Sequence, residues 1–254
     1  MTNNHAKTCL LAAQCKVAGS AECNAMCPHF ISLHGMNGRG GRAATANVPT
    51  DYRMITVSNS PARASQSAVY KNIDAYVRTF ERQFDESAER IKSLYLFSES
   101  PGTGKTTTAV AILNEWLIAH YLGSLKRNRQ ALQTPAYFLD VNEWQTLFNE
   151  FNRSNVPSDI AEPASREYYR RFNYAKHAPF VVCDDIGVRT ATEAFRADLH
   201  SVINHRTANA MPTVFTSNLP IEDMAQVFDA RLYDRMRDMC AVLEFGGTSK
   251  RGRR

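Results

Sequence analysis

Residues 94–117 hold the feature that most constrains how this chain folds. A short apolar run leads into a glycine-containing loop, and an apolar helical pattern follows a lysine and a threonine. Gly102 and Gly104 allow a tight turn in which successive backbone N–H groups point towards phosphate oxygens. Lys105 reaches β- and γ-phosphates in such loops, and the hydroxyl of Thr106 contacts Mg²⁺. This order predicts an α/β fold with a nucleotide-binding site; an ordinary Gly-Pro turn is the alternative.

The predicted phosphate-binding loop departs from the usual pattern at its first position. That pattern begins with a glycine six residues before the lysine, and Glu99 stands there instead. The rest of the loop fits, because the following helix adds the positive end of its dipole to the backbone N–H groups. The residues predicted to contact the nucleotide are Ser100, Pro101, Gly102, Thr103, Gly104, Lys105, Thr106 and Thr107.

Polar residues also follow two later apolar runs that read as strands. Asp184 and Asp185 end one run, and Asn218 follows the other. Ligands of open α/β sheets lie at the carboxyl ends of the strands, beside a phosphate-binding loop. We therefore predict that Asp184 and Thr106 hold Mg²⁺ and that Asp185 orients or deprotonates the attacking water. Asn218 is predicted to lie near the γ-phosphate; the alternative is a turn residue.

Four of the six cysteines fall within the first 27 residues of the chain. In an intracellular protein such a cluster favours a metal site over disulfides, and structural zinc takes four thiolate or imidazole ligands. The spacing matches no standard zinc motif, and free thiols are the alternative. The predicted Zn²⁺ ligands are Cys9, Cys15, Cys23 and Cys27, with His29 as a possible substitute for one of them.

Composition divides the chain into four predicted parts. Residues 1–34 form a small cysteine-rich domain, 35–64 a glycine-rich flexible linker, 65–246 the nucleotide-binding domain and 247–254 a basic tail. The first 60 residues have a net charge of +3 and the last five of +4, whereas the remainder is nearly balanced. Basic ends suit an anionic partner such as nucleic acid, and a solubilising tail is the alternative for 250–254. No apolar run is long enough to span a membrane, so we expect a cytoplasmic protein.

One predicted helix, 166–176, interleaves arginines with aromatic residues. This pattern suits single-stranded nucleic acid, through phosphate contacts and base stacking. An ordinary amphipathic helix, with packed aromatics and solvated arginines, is the alternative.

Four motifs occur in a fixed order along the chain. They are Pro-Gly-Thr-Gly-Lys-Thr at 101–106, Val-Val-Cys-Asp-Asp-Ile-Gly at 181–187, Thr-Ser-Asn at 216–218 and Ala-Arg-Leu-Tyr-Asp-Arg-Met at 230–236. Together they resemble the Walker A, Walker B, sensor 1 and box VII motifs of AAA+ ATPases, and in particular those of the bacterial DnaC/DnaI-type replicative helicase loaders. The resemblance implies an AAA+ core with a five-stranded parallel sheet flanked by helices. The family's helical lid is expected to be essentially absent, since only nine residues follow Phe245.

The resemblance also implies roles for particular residues. Arg231 matches the family's arginine finger, which reaches the nucleotide of a neighbouring subunit, and Arg235 is a second candidate. Repeating such a head-to-tail interface gives a ring or spiral. Residues 141–176 match the family's insertion that contacts single-stranded DNA. Asp185 stands where many relatives have glutamate, which is consistent with slow hydrolysis.

These features predict an ATPase that loads a DnaB-type replicative helicase onto single-stranded DNA during replication initiation. ATP, Mg²⁺ and a structural Zn²⁺ are the expected cofactors, and the N-terminal domain is expected to bind the helicase. Two other possibilities are open. One is an IstB-like transposition helper or a replication initiator with the same core. The other is an adaptor that binds nucleotide as a switch without hydrolysing it.

Overall fold

A computed structural model describes residues 5–24, 26–187 and 189–250 of the chain. The strands are β1 (Ser93–Phe97), β2 (Ala136–Asp140), β3 (Phe180–Asp184), β4 (Thr213–Ser217) and β5 (Cys240–Glu244). The helices are α1 (Pro28–His34), α2 (Gly41–Thr45), α3 (Ser67–Arg78), α4 (Lys105–Lys126), α5 (Val141–Asn152), α6 (Ser158–His177), α7 (Glu193–Ala208), α8 (Met224–Val227) and α9 (Ala230–Met239). Arg251–Arg254, which belong to the predicted basic tail, lie outside the described residues.

The five strands form one parallel sheet in the order β2-β3-β4-β1-β5. Four of them are almost wholly buried, as expected for a parallel sheet with helices on both faces. The sequence prediction of a five-stranded parallel sheet is therefore confirmed. This strand order places β1 between β4 and β5, so the loop after β1 lies beside the carboxyl end of β4.

The helix that follows the loop, α4, is the most buried helix of the fold. It begins at Lys105 and lies against β3, β2 and β4, with residues buried all round its surface. A helix that is apolar on every side needs cover on the face turned away from the sheet. That cover comes from α3, from the 3-10 helix Thr79–Phe84 and from the N-terminal part of the chain.

The described part of the chain before residue 65 packs on this core. Leu10, Leu11 and Leu33 lie in the same buried cluster as the apolar residues of α4. The side-chain amide of Asn114, in the middle of α4, donates hydrogen bonds to the carbonyl oxygens of Tyr52, 3.1 Å away, and Ile55, 2.7 Å away. Residues 41–66, which we call the belt, thus run across the outer face of α4.

The belt also covers the edge of the sheet at β2. The N–H of Phe138 donates to the carbonyl of Ala46 at 2.8 Å, and Asn47 Nδ2 donates to the carbonyl of Phe138 at 3.0 Å. These bonds use backbone groups that an edge strand otherwise leaves unpaired.

Residues 35–64 therefore differ from the flexible linker that their glycine content predicts. Gly41 has a φ of 62° and approaches the backbone of Leu33 so closely that a Cβ would lie 2.5 Å from its carbonyl carbon. Glycine is needed here for a turn and for close packing, and it does not make the segment flexible. The buried guanidinium of Arg42 then donates hydrogen bonds to the carbonyls of Ala131 and Leu132, each at 2.7 Å.

We expect Arg42→Ala to lower the free energy of unfolding by about 3 kcal/mol, because it leaves several buried carbonyls without a donor. Urea unfolding followed by circular dichroism measures the change. Arg39→Ala, an exposed position three residues earlier, is the matched control and should change stability by less than about 0.5 kcal/mol. Equal stability of the two variants would contradict the packing of the belt.

No helix in the described ranges is both long and apolar enough to cross a membrane.

Candidate nucleotide-binding site

The loop between β1 and α4 has the backbone shape of a phosphate-binding loop. Gly102 and Gly104 have φ values of 73° and 104°, in the left-handed region that favours glycine. Gly104 is the N-cap residue of α4, so the loop leads directly into the first turn of that helix. The backbone N–H groups of this turn and of the loop form the kind of concavity that binds anions.

The side chain of Lys105 is buried at the centre of the site. Its Nζ donates to Oδ1 of Asn218, 2.5 Å away, and lies 3.4 Å from the carbonyl oxygens of Ser98 and Ser100. Asn218 directly follows β4, and the strand order brings that strand beside β1. The fold therefore brings together the lysine of the loop and the asparagine predicted to lie near the γ-phosphate.

Asp184, at the end of β3, connects the loop to the neighbouring strand. Oδ2 accepts a hydrogen bond from the hydroxyl of Thr106 at 3.1 Å, and Oδ1 accepts one from the hydroxyl of Thr216 at 2.7 Å. Burial, and after it the nearby carboxylate of Asp185, raise the pKa of Asp184 to about 7, although these two hydrogen bonds act to lower it. A cation beside this carboxylate would favour its charged form.

Asp185 begins a turn with unusual backbone geometry. Its φ is 58°, and its N–H donates to the hydroxyl of Thr216 at 2.8 Å. Few residues other than glycine adopt a left-handed conformation, and those that do are often found at functional sites. The turn places the Asp185 carboxylate near that of Asp184, at the carboxyl end of the sheet.

The residues present fit a magnesium nucleotide. Thr106 and Asp184 supply a hydroxyl and a carboxylate within hydrogen-bond distance of each other, and oxygen ligands of this kind are what Mg²⁺ prefers. Lys105 supplies a buried positive charge beside the N–H groups of the loop. The arrangement is therefore able to bind phosphate groups and the cation that accompanies them.

Glu99 does not disturb this geometry. Its side chain is exposed, and its backbone is not among the positive-φ residues, so no glycine is needed at this position. The unusual residue is therefore compatible with the loop on steric grounds.

The two candidate finger arginines of α9, Arg231 and Arg235, have different surroundings. Arg235 donates a hydrogen bond to the side chain of Asn204 on α7. Arg231 is exposed, and its guanidinium makes no hydrogen bond or ion pair with the described part of the chain. The helix that carries both is anchored by Asp229, whose carboxylate accepts from the N–H of Leu232 at 2.8 Å. Arg231 is therefore the arginine that is available to a second molecule.

Aromatic residues of α6 mostly pack against α5 and α7, as in an ordinary amphipathic helix. Tyr168 is fully buried, stacks on Trp144 with ring centroids 4.8 Å apart, and donates to Asp198 at 2.6 Å. Arg171 pairs with Glu143 at 2.9 Å. Tyr169, 55% exposed, is the large hydrophobic residue that α6 leaves most open. These contacts favour the structural alternative for most of the aromatic residues in this helix.

The predicted zinc site is not confirmed. Among the residues that the structure describes, no group of three or more His, Cys, Asp or Glu side chains is arranged to hold a metal ion. His29, the proposed substitute ligand, shares a hydrogen bond of 2.9 Å with the hydroxyl of Tyr121. Burial raises the pKa of the Cys9 thiol, and electrostatic interaction with the other three N-terminal cysteines acts in the same direction.

Two residues that hydrogen-bond to the site, Thr216 and Gln66, were not predicted from the sequence. Thr216 bonds both to the Asp184 carboxylate and to the Asp185 N–H. Its position was available from the pairing of parallel strands, since a residue at the end of β4 lies beside the acids at the end of β3. Gln66 lies 37 residues before the loop carbonyl that it contacts, and no local pattern distinguishes it.

Comparison with known proteins identifies similar sequences. No model of a protein family matches the chain. It is 25% identical over 156 residues to the replicative helicase loader DnaC of Escherichia coli K12, covering 61% of this chain and 55% of DnaC. It is 24% identical over 189 residues to the replicative helicase loader DnaI of Bacillus subtilis 168, covering 69% of this chain and 52% of DnaI. The chain thus spans about half the length of these curated relatives.

Solved structures share the fold. A crystal structure of DnaI matches with a TM-score of 0.54 and 23% identity, over 80% of this chain and 94% of that one. A crystal structure of the DnaC helicase loader matches with a TM-score of 0.52 and 20% identity, over 78% of this chain and all of that one. The sequence and fold comparisons together confirm that this chain resembles the AAA+ proteins of the DnaC/DnaI helicase-loader type.

Proposed function

We propose that this protein is an ATP-dependent loader of a replicative DNA helicase. The observation that carries the proposal is the convergence of Lys105, Thr106, Asp184 and Asn218 at the carboxyl ends of three neighbouring strands. The site supports binding of ATP, and the sequence similarity to two proteins named as replicative helicase loaders supports the loading role. The partner is then a DnaB-type helicase.

Each residue of the site has a proposed task in ATP binding and hydrolysis. Lys105 and the N–H groups of the loop would bind the phosphates, and Thr106 and Asp184 would hold Mg²⁺, which would supply positive charge beside the phosphate oxygens. Asp185 accepts a proton from the attacking water or orients it, and Asn218 helps to position that water. These roles are supported by the contact of Thr106 with Asp184 and by that of Lys105 with Asn218.

Head-to-tail assembly is part of the proposal. Arg231 is exposed on α9 and would reach the nucleotide of a neighbouring subunit, where it stabilises the charge that develops during transfer. Because the donor and the acceptor surfaces of such a contact differ, repetition gives a ring or a spiral. Nucleotide would then be enclosed between subunits.

Affinity capture with the replicative helicase of the same host tests the loader role. The purified chain, immobilised, is mixed with helicase in the presence of Mg-ATP, Mg-ADP or no nucleotide. We expect capture that changes with the nucleotide. No capture under any of the three conditions would overturn the loader role.

Single-stranded DNA is a further proposed ligand. Tyr169 is the exposed aromatic of α6 and is available for base stacking, which contributes about 1–3 kcal/mol per base. We expect Tyr169→Ala to weaken binding of a fluorescent oligothymidine about tenfold, as measured by anisotropy. Phe151→Ala is unsuitable as a control, since that ring packs on Tyr168; Leu125→Ala, exposed at the end of α4, is the matched change and should bind normally.

Zinc binding by the four N-terminal cysteines stays a prediction that rests on their number and position in the sequence. Metal analysis of the purified protein tests it. One equivalent of zinc that is lost in a Cys9→Ser, Cys27→Ser double variant would support the site. A metal-free, folded protein would exclude it.

A further inference from the structure

Groups from distant parts of the chain hold two successive carbonyls of the phosphate-binding loop. Gln66 Nε2 donates to the carbonyl of Thr103 at 3.3 Å, and the backbone N–H of Lys250 donates to the carbonyl of Gly102 at 3.1 Å. The same Gln66 amide donates to the carbonyl of Gly246 at 2.8 Å. The belt, the loop and the segment after β5 therefore meet at one side chain.

The geometry of the peptide unit gives these contacts a consequence. In a trans peptide the C=O of one residue and the N–H of the next point in opposite directions within one plane. A donor that holds the Gly102 carbonyl therefore fixes the direction of the Thr103 N–H. A donor that holds the Thr103 carbonyl fixes that of the Gly104 N–H. Both N–H groups belong to the anion-binding part of the loop.

The surroundings of Gln66 make its side chain a firm support. It is only 6% exposed, and its own N–H donates to the carbonyl of Ala62 at 3.1 Å, which closes a turn of the belt. That turn packs directly on the loop, since a Cβ added to Gly104 would lie 2.7 Å from the Cβ of Ala62. The Gln66 amide is thus fixed relative to the loop by packing as well as by hydrogen bonds.

We propose that Gln66 is a positioning residue that, together with the Lys250 backbone, clamps the outer carbonyl side of the phosphate-binding loop and holds its N–H groups ready for phosphate. The inference rests on the proposed nucleotide binding and deepens it. The clamp leaves the N–H side of the loop open, and it reduces the ordering that phosphate binding otherwise requires. The hydrogen bond from Gln66 to the loop goes to a backbone carbonyl, so Gln66 acts on affinity and not on the chemical step.

The clamp also links nucleotide affinity to the N-terminal part of the chain. Gln66 lies at the end of the belt, and the belt packs along α4 and β2. Any partner that shifts the belt changes nucleotide affinity, and nucleotide changes the affinity for that partner by the same factor.

Gln66→Met tests the clamp, because methionine keeps the length of the side chain and removes the donor. Gln83→Met is the matched control: Gln83 also donates to a backbone carbonyl, that of Phe80 at 2.8 Å, but away from the loop. The probes are a fluorescent ATP analogue with Mg²⁺ and inorganic pyrophosphate as competitor. We expect Gln66→Met to raise the Kd of both about tenfold, with kcat at saturating ATP within about twofold of wild type. Gln83→Met should bind both probes normally.

A second pair of variants tests the other arm of the clamp without disturbing the core. Lys250→Pro removes the N–H that holds Gly102, whereas Lys250→Ala keeps it. We expect the proline variant to bind pyrophosphate about fivefold more weakly than the alanine variant. Equal affinities within this pair, or equal affinities of Gln66→Met and Gln83→Met, would overturn the clamp.

The outcome is separable from that of the loader role. A wild-type chain that binds nucleotide but captures no helicase would remove the loader and leave the clamp. If the wild-type chain captures helicase but the Gln66 and Lys250 variants bind nucleotide as well as their controls, the clamp is removed and the loader role stays. A wild-type chain that bound no nucleotide would overturn both.

Discussion

Replacing Lys105 by alanine is expected to weaken binding of Mg-ATP by at least about a hundredfold. The ammonium group is buried beside Asn218 and is the positive side chain that the described loop directs into the site. A hydrogen bond to a charged group contributes about 1.5–3 kcal/mol, so loss of contacts to two phosphates removes about 3 kcal/mol or more. That change corresponds to at least about two powers of ten in Kd. Isothermal titration calorimetry measures it directly.

Thermal unfolding provides the second measurement for Lys105→Ala. A ligand at about a hundred times its Kd stabilises a protein by about 2.7 kcal/mol, and this nucleotide-dependent rise in Tm should disappear in the variant. The Tm without nucleotide should stay close to that of wild type. Lys92→Ala, at an exposed position just before β1, is the matched control and should keep both the affinity and the rise. Nearly normal ATP binding by Lys105→Ala would exclude the proposed site.

The sequence predicts the core of this fold well because its signals are local. Strand β3 is a continuous buried run, and Gly-Thr-Gly-Lys-Thr at 102–106 has the spacing of a phosphate-binding loop directly before a helix. The belt is different. The buried side chain of Arg42 donates hydrogen bonds to carbonyls about ninety residues away, and Gly41 allows the chain to pack closely against Leu33. Composition alone reads such a glycine-rich, basic stretch as a flexible linker, since these partners lie far along the chain.

The site divides in the same way. Lys105, Thr106 and Asp184 follow from motifs, whereas Gln66 becomes visible only when the chain is folded, because its two acceptors lie 37 and 180 residues away. The α6 helix shows a further limit. The periodicity of the sequence is compatible with Tyr168 either packing in the core or stacking on bases. Its complete burial in the structure shows that it packs in the core.

Arg231→Ala is expected to lower the ATPase rate by about a thousandfold while leaving ATP affinity within a few-fold of wild type. An arginine supplied to a neighbouring site stabilises charge that develops in the transition state, and such residues contribute about 10³–10⁵ in kcat. Arg235→Ala is the comparison: it loses the contact with Asn204, so it should lower stability first. Steady-state phosphate release at saturating ATP measures the rates. A normal rate in Arg231→Ala would show that this residue is not the finger.

Mixing two inactive variants tests whether Arg231 acts between subunits. Asp185→Asn removes the proposed base and should lower kcat by about a hundredfold or more. In an equimolar mixture, the Asp185→Asn chain still has Arg231 and the Arg231→Ala chain still has Asp185. A complete site forms where Arg231 of an Asp185→Asn chain reaches the nucleotide of an Arg231→Ala chain. Random head-to-tail assembly gives this pairing at about one interface in four, so about a quarter of wild-type activity should return. Arg231 acting within its own subunit would restore none, because each chain would still lack one of the two groups.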